Sequence, residues 1–589
     1  MRVIRTLVVC AAAAAATLAV ARPALGESRV AWLELEGGLS ERPGPFDWLS
    51  GDETLTVSSL VRTLGEIEES DSIDAVVMRL RSPSWTPAQI EGVGRAIREV
   101  RDSGKRVFAF SDLYEMNTLR LASYADEVIL QQGGAVFFPG LYMEEMYLAE
   151  TLDMVGITAD YVQIGDYKGA DEMLTNAAPS PAWEENVSQL LDTLYAALRA
   201  QMRENRNLSE EQLDEAMERA WYADGTMAIK TGLIDAEIDR LALSEHLKAS
   251  LGDDVRFDLS YDPSRAGTSI DTANPFALLR KLSEDPKIEA AKPSIAVVHI
   301  DAAIVDGESQ PETAFGGGTV GAVTIREALK EIEDEDLIRG VIVRINSPGG
   351  SAIASENIWQ GIRRVAETKP VWVSVGDMAA SGGYYIAVAG ERIYVDHSSI
   401  VGAIGVVGGK LAMGGLYEKL ELNVVGRSRG PAAALFASGP TWTESQRALV
   451  RDRMRETYDL FTTRVAQGRS GVDLSKTAEG RLFAGERAIE LKLADRLGGL
   501  QEALEDLAAT TNLGDDFGVL HYPGPQSFED FLENLTGSFG VRAELPAVRA
   551  VRELVGPRAW DAVRDAMTAM TQLRREPVLL MSPRTLIFR

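Results

Sequence analysis

The fold is decided by residues 341–348, VIVRINSP, together with an earlier stretch at residues 76–83, VVMRLRSP. The two stretches lie 265 residues apart, and other similar pairs keep nearly the same spacing. ADE at 125–127 and AGE at 389–391 are 264 apart, and LID at 233–235 and LAD at 493–495 are 260 apart. A nearly constant spacing over several landmarks indicates two copies of one domain. We divide the 589 residues into an N-terminal segment, 1–26, a first repeat, 27–285, and a second repeat, 286–589, with the junction at 267–292.

Each repeat alternates strands with helices. In the second repeat, short apolar and β-branched runs predict strands at 294–300, 341–345, 371–375 and 392–395. Helical periodicity and a serine cap predict helices at 324–333, 351–367 and 384–389. This alternation implies an α/β fold with a mostly parallel sheet covered by helices. Longer helices at 183–202 and 443–467 are expected to project from the core as arms.

The first 26 residues have the three-part pattern of a secretory signal. Arg2 and Arg5 precede an apolar run at 7–20, and Ala24-Leu25-Gly26 offers a small-residue cleavage site. If it is not cleaved, the stretch 3–21 is just long enough to span a bilayer. The segment is therefore a signal peptide or an N-terminal membrane anchor, and both alternatives predict an exported protein.

Composition argues against several classes of function. The net charge of −28 disfavours a nucleic-acid partner, because phosphate binding needs clustered Lys and Arg. The single cysteine, Cys10, lies in the N-terminal apolar run, so the mature chain would have neither a disulfide nor a thiol nucleophile. In the absence of a Cys/His cluster we expect no metal and no organic cofactor.

Two glycine-containing motifs follow consecutive strands of the second repeat. Asn346-Ser347-Pro348-Gly349-Gly350 comes first, and its tandem glycines allow backbone N–H groups to face an oxyanion. Met378-Ala379-Ala380-Ser381-Gly382-Gly383 comes second and places Ser381 where a helix begins. An ordinary turn explains the first motif about as well, and a helix N-cap is the default interpretation of a lone serine in the second.

The base that would activate Ser381 is not evident from the histidines. The chain has four, at 246, 299, 397 and 521, and only His397 is near the serine motif in sequence. A Ser/His/Asp arrangement is therefore unsupported, although composition does not exclude it. A lysine base is the known alternative.

These motifs resemble those of the signal peptide peptidase A family of serine proteases, in its long, two-repeat form. The resemblance rests on residues 346–350, on Ser381-Gly382-Gly383-Tyr384, on Tyr167-Lys168-Gly169-Ala170 and on GRLFAGERAIELKLAD at 480–495. It covers nearly all of the exported chain. It implies a tandem repeat of two α/β domains of the Clp protease/crotonase superfamily.

The resemblance also implies a function. Ser381 would be the nucleophile, Lys168 the general base, and Gly349, Gly350 and Gly382 the oxyanion hole. The enzyme would be a serine endopeptidase that hydrolyses apolar peptides, above all cleaved signal peptides, on the periplasmic side of the inner membrane or in the periplasm. Family members form ring-like homo-oligomers, which implies the same for this chain.

The repeat supports one composite site per chain. The first-repeat position equivalent to Ser381 is Asn117, at an offset of 264, and the second-repeat position equivalent to Lys168 is Arg429, at an offset of 261. Arginine does not lose its proton in a protein, so it cannot serve as a base. The first repeat therefore lacks the serine, and the second repeat lacks the lysine.

One departure from the family pattern motivates an alternative function. The family usually has a second hydroxyl, bonded to the lysine, where this chain has Ala403. Either Ser398, Ser399 or water would orient the lysine, or catalysis would be weaker. The alternatives are a weak or silent peptide-binding scaffold and, from the shared oxyanion architecture, a crotonase-type enzyme acting on acyl-coenzyme A.

Overall fold

The computed structural model describes residues 27–47, 54–252, 254–263, 288–311, 318–525, 578–582 and 587–588. The N-terminal segment with Cys10, and most of the junction between the repeats, lie outside the described residues. Within the ranges described, no helix combines the length and the apolar character needed to cross a membrane.

The first repeat contributes nine strands among its described residues: β1 (Ser28–Glu36), β2 (Ala75–Arg81), β3 (Arg106–Tyr114), β4 (Glu127–Phe137), β5 (Met143–Glu144), β6 (Thr158–Ile164), β7 (Tyr222–Ala223), β8 (Ala236–Ile238) and β9 (Val255–Asp258). Seven of them form one sheet in the order β7-β4-β3-β2-β1-β9, with β8 beside β4. Its helices are Val57–Glu69, Pro87–Asp102, Met116–Ala122, Ala149–Met154, Glu172–Thr175, Pro181–Arg206, Glu210–Arg219, Gly225–Lys230 and Leu243–Leu251, with a 3₁₀ turn at Arg240–Ala242.

The described part of the second repeat adds fourteen strands: β10 (Ser294–Ile300), β11 (Ala303–Val305), β12 (Thr319–Gly321), β13 (Ile338–Ser347), β14 (Gly349–Ser351), β15 (Val371–Ala380), β16 (Ile393–Val395), β17 (Ile400–Gly402), β18 (Val406–Ala412), β19 (Leu482–Ala484), β20 (Arg496–Leu497), β21 (Gly518–Tyr522), β22 (Val578–Met581) and β23 (Ile587–Phe588). Its helices are Ala322–Asp334, Ala352–Val365, Gly382–Ala387, Gly414–Lys419, Glu444–Gly468, Leu474–Thr477, Gly485–Glu490 and Leu500–Thr510.

The two main sheets share a strand order, as the sequence repeat predicts. The second sheet runs β19-β17-β15-β13-β10-β21, with β16 between β15 and β20. Its members β15, β13, β10 and β21 correspond in order to β3, β2, β1 and β9, and all of these neighbours pair in parallel. The prediction of two repeated α/β domains is therefore confirmed.

Local sequence explains the central strands and the helices that cover them. β13 is buried along nearly its whole length, as expected for an apolar, β-branched strand that is covered on both faces. Ser351 caps helix Ala352–Val365, because its hydroxyl accepts a hydrogen bond from the Ala354 N–H at 3.0 Å. The strand predicted at 371–375 continues to Ala380, so it ends directly before Ser381.

A third sheet joins the repeats. Its order is β12-β11-β14-β22-β18-β6, and among the described residues β6 is its one strand from the first repeat. β6 and β18 form an antiparallel ladder of seven pairs, from Ile164 opposite Val406 to Thr158 opposite Ala412. A buried ion pair, Arg344 with Glu41 at 2.8 Å, also links the repeats. These contacts fix the register of the first repeat against the second.

The two long helices are Pro181–Arg206 and Glu444–Gly468, close to the predicted ranges. In each helix the buried side chains recur along its length and lie on one face. The first also reaches the other repeat, since the Asn186 amide donates to the Leu482 carbonyl at 3.1 Å and accepts from its N–H at 2.9 Å. One face of each helix thus lies on the folded body while the other is exposed.

Candidate functional site

Ser381 occupies a strained turn between β15 and helix Gly382–Ala387. Its φ of +55° and ψ of −113° are unusual for a residue with a side chain. Its N–H donates to the Gly402 carbonyl at 2.8 Å, and its carbonyl accepts from the Tyr385 N–H at 2.8 Å. Among the described residues its hydroxyl caps no N–H of the following helix, so Ser381 is not a simple N-cap. The turn instead leaves the hydroxyl free for another partner.

That partner is Lys168, from the other repeat. Lys168 Nζ donates to Ser381 Oγ at 2.7 Å and to the Ala403 carbonyl at 2.9 Å. Lys168 follows β6, and Ala403 precedes β18. Because β6 and β18 pair with each other, Lys168 lies close to both Ala403 and Ser381. The structure therefore brings together two side chains that are 213 residues apart in sequence.

Burial sets the electrostatics of this pair. Both Ser381 and Lys168 have 0 % of their surface exposed. Burial disfavours the charged amine and holds the pKa of Lys168 well below its usual value of 10.5. The negative charge of Asp171 acts in the opposite direction on the pKa of Lys168, and burial raises the pKa of Asp171 itself to about 6. A neutral lysine amine beside a serine hydroxyl can accept its proton.

Glycines make room for Lys168. Gly480 has a φ of +90°, and a Cβ placed on it would run into the Lys168 backbone, 2.5 Å from its nitrogen. A Cβ on Gly405 would lie 3.0 Å from Lys168 Cδ. Gly169 has a φ of +57°, and a Cβ on it would run into the Trp183 ring. Gly480 is the first residue of the motif at 480–495. The sequence did not reveal that this glycine lies against the backbone of Lys168.

Of the groups considered for orienting the lysine, neither the Ser398 nor the Ser399 hydroxyl is its partner. Ser399 Oγ donates to the Gly376 carbonyl at 2.6 Å and accepts from the Asp396 N–H at 2.9 Å. Ser398 Oγ is buried with no hydrogen-bond partner among the described residues. The Ala403 carbonyl accepts from Lys168 instead. Ala403 has a φ of +51°, and its backbone supplies the acceptor that a side chain was expected to supply.

The three predicted oxyanion glycines cluster beside Ser381. A Cβ on Gly382 would lie 3.1 Å from the Gly350 nitrogen, and one on Gly349 would lie 2.6 Å from the Gly382 nitrogen. The N–H of Gly349 donates to Ser347 Oγ at 3.2 Å. The Gly349 N–H therefore already has a partner, and the lack of a side chain on Gly349 leaves room for the nearby Gly382 nitrogen.

The histidines have partners elsewhere. His397 pairs with Glu486 at 3.4 Å, His299 with His521 at 2.9 Å, and His246 with Glu127 at 2.5 Å. The hydrogen bond to Ser381 Oγ comes from Lys168. The geometry thus favours a lysine over a histidine as the base.

Comparison with known proteins identifies a family for the chain. The model of peptidase family S49 matches residues 99–252 and 363–514, one segment in each repeat, and together these cover more than half of the chain. The Clp protease model matches residues 320–404, which include the tandem glycines, Ser381 and Ala403.

Three of the similar proteins have names that describe proteases. Protease 4 of Haemophilus influenzae is 29% identical over 513 residues, covering 84% of this chain and 79% of that protein. The chloroplastic serine protease SPPA of Arabidopsis thaliana is 28% identical over 426 residues, covering 71% of this chain and 60% of that protein. A putative signal peptide peptidase SppA of Enterococcus faecium is 29% identical over 191 residues, covering 32% of this chain and 55% of that protein.

Proposed function

The chain belongs to peptidase family S49 and is a serine protease, and from that premise we propose that Ser381 is its nucleophile and Lys168 its general base. The observation that carries the proposal is the 2.7 Å hydrogen bond between Lys168 Nζ and Ser381 Oγ, made by two fully buried side chains. Burial lowers the pKa of the amine and so favours its neutral form, and the amine also donates to the Ala403 carbonyl.

The reaction is acyl transfer to the serine. Lys168 takes the hydroxyl proton as Ser381 Oγ attacks a peptide carbonyl, and the protonated amine then gives that proton to the departing amine. The N–H groups of Gly350 and Gly382 stabilise the oxyanion, and one such donor contributes about 3–4 kcal/mol to lowering the barrier. Water, deprotonated by the same lysine, hydrolyses the acyl-enzyme.

The substrates are apolar peptides, with cleaved signal peptides as the physiological case. The name of the Enterococcus faecium relative points to this class, and buried apolar clusters that include Ile304 and Tyr161 border the site. The protein is exported, works at the periplasmic face of the inner membrane or in the periplasm, and assembles as a homo-oligomer. Fractionation of cells and the mass of the purified particle test the last two statements.

The alternative of a silent scaffold depended on Ala403. Because the lysine has a backbone acceptor at that residue, the absence of a hydroxyl no longer argues for weak catalysis. A crotonase-type activity toward acyl-coenzyme A receives no support from the relatives named above. The proteolytic function is therefore the better proposal.

Two substitutions test the dyad on an apolar peptide substrate. Ser381→Ala should abolish hydrolysis because no acyl-enzyme can form. Lys168→Arg should be nearly as inactive, since a guanidinium stays charged and cannot accept the proton. His397→Ala is the matched control and should keep most of the wild-type kcat/KM. Near wild-type turnover in folded Lys168→Arg would overturn the assignment of the base.

A further inference from the structure

Asp171 carries a buried carboxylate that the proposed mechanism does not use. Only 8 % of its surface is exposed, and its Oδ1 oxygen has no hydrogen-bond partner among the described residues. A buried polar atom without a partner destabilises the fold, because it has lost its contacts with water and gained none in return. A titratable group kept in such a place beside an active site is a candidate for a role in the reaction.

Asp171 lies close to the general base. It follows Lys168 by three residues, and the chain around both is held in tight turns. The Lys168 N–H donates to the Gly165 carbonyl at 3.2 Å, and the Asp171 carbonyl accepts from the N–H and the hydroxyl of Thr175, each at 3.0 Å. Burial lowers the pKa of Lys168, and among the described residues Asp171 is the one group whose charge acts on that pKa.

Two other charged side chains near Lys168 have partners of their own. Glu479 and Arg481 belong to the segment that packs against the Lys168 backbone. The Glu479 carboxylate accepts from the Tyr458 hydroxyl at 3.0 Å, and the Arg481 guanidinium lies over the Tyr167 ring at 3.8 Å. Their side chains are thus turned to these aromatic residues.

The groups that face Asp171 leave its charge available for Lys168. The Glu172 carboxylate accepts from the Ser180 N–H at 2.7 Å and from the Ser180 hydroxyl at 2.6 Å. Burial and the negative charge of Asp171 raise the pKa of Tyr161, so that phenol stays neutral. Burial raises the pKa of Asp171, and the positive charge of Lys168 lowers it, so the two charged forms support each other.

We infer that Asp171 is a positioning residue for the proton that Lys168 takes from Ser381. This inference rests on the proposed Ser381/Lys168 chemistry. When the proton moves from the Ser381 hydroxyl to the amine, a positive charge forms where burial disfavours it. The hydrogen-bond partners of the amine, the Ser381 hydroxyl and the Ala403 carbonyl, are uncharged. The nearby carboxylate stabilises the charge through space and so makes Lys168 a stronger base than burial alone would allow.

Removal of this charge should move the pH profile in one direction. In wild type kcat/KM rises as Lys168 loses its proton, so the midpoint of the rise follows the pKa of Lys168. Without the carboxylate the charged amine is less favoured, and the midpoint in Asp171→Asn should fall by about one pH unit. Below both midpoints the variant should keep about tenfold more of its plateau activity than wild type. The plateau itself should be lower, because the amine is a weaker base.

The experiment measures pH profiles of kcat/KM on an apolar peptide for wild type, Asp171→Asn and Glu172→Gln, with urea denaturation as the check of folding. Glu172→Gln is the matched control, because it removes a buried carboxylate one residue away whose charge does not act on Lys168. Its midpoint should stay at the wild-type value even where its stability falls. A wild-type midpoint in Asp171→Asn, or an equal shift in Glu172→Gln, would overturn the inference.

Two further variants separate the possible failures. Asp171→Val is also uncharged and leaves no buried oxygen without a partner, so it should fold and show the same lowered midpoint. Lys168→Met tests the base itself and should lose most of the activity. Wild-type activity and pH profile in Lys168→Met would refute the proposed function. An inactive Lys168→Met, together with a wild-type midpoint in both Asp171 variants, would overturn this inference and leave the proposed function standing.

Discussion

Substitution of Gly480 should damage both catalysis and folding. A Cβ at this position would lie 2.5 Å from the Lys168 nitrogen, whereas non-bonded atoms settle near 3.5 Å, so Lys168 must move by about 1 Å. A displacement of about 1 Å in a catalytic group can lower the rate about 10²-fold. For Gly480→Ala we therefore expect a loss of about 2.7 kcal/mol in transition-state stabilisation, measured as kcat/KM on an apolar peptide.

The control must carry the same backbone strain without the clash. Gly104 has a φ of +92°, close to the +90° of Gly480, and a Cβ on it would meet nothing within 4 Å. Both alanine variants should lose about 1–2 kcal/mol of unfolding free energy from the left-handed conformation, measured by urea denaturation. Gly480→Ala should lose about 1–3 kcal/mol more, because its Cβ meets the Lys168 backbone. Only Gly480→Ala should lose activity. A folded Gly480→Ala enzyme as active as Gly104→Ala would refute the reasoning.

Three other predictions concern the site and the export of the chain. Ala403→Ser should leave kcat/KM essentially unchanged, because the backbone carbonyl that binds Lys168 stays in place; a large gain would mean that a hydroxyl is missing after all. Peptide hydrolysis should survive a strong chelator, and a complete, metal-reversible loss would contradict this prediction. A reporter that is active only outside the cytoplasm, fused after Arg589, should be active because of the N-terminal signal pattern; activity confined to a cytoplasmic reporter would contradict export.

The sequence predicted the repeat and most of its elements because both depend on local patterns. β10 has the predicted bounds, and helix Ala352–Val365 begins at the predicted cap. β15 extended beyond its prediction because small residues such as Ala379 and Ala380 carry little strand preference, yet pairing with β13 and β17 holds them in the sheet.

The candidate site was only partly predictable. The repeat indicated that Lys168 and Ser381 belong to one site, but the ladder between β6 and β18 that joins them is a long-range pairing without a local signal. The acceptor for Lys168 was missed because a backbone carbonyl carries no residue identity. The apolar run 578–581 resembles a short strand, but no local pattern shows that it pairs beside Ser381.

The central claim is that a neutral Lys168 activates Ser381, and the pH dependence of serine labelling tests it most directly. A fluorophosphonate probe should label Ser381 in wild type at a rate that rises with pH, because only the deprotonated amine accepts the hydroxyl proton. The midpoint should lie well below 10.5, because burial lowers the pKa of Lys168. In Lys168→Met, which keeps the volume but has no base, labelling should be slow and without that rise. Labelling of a folded Lys168→Met chain at the wild-type rate with the same pH profile would contradict the account.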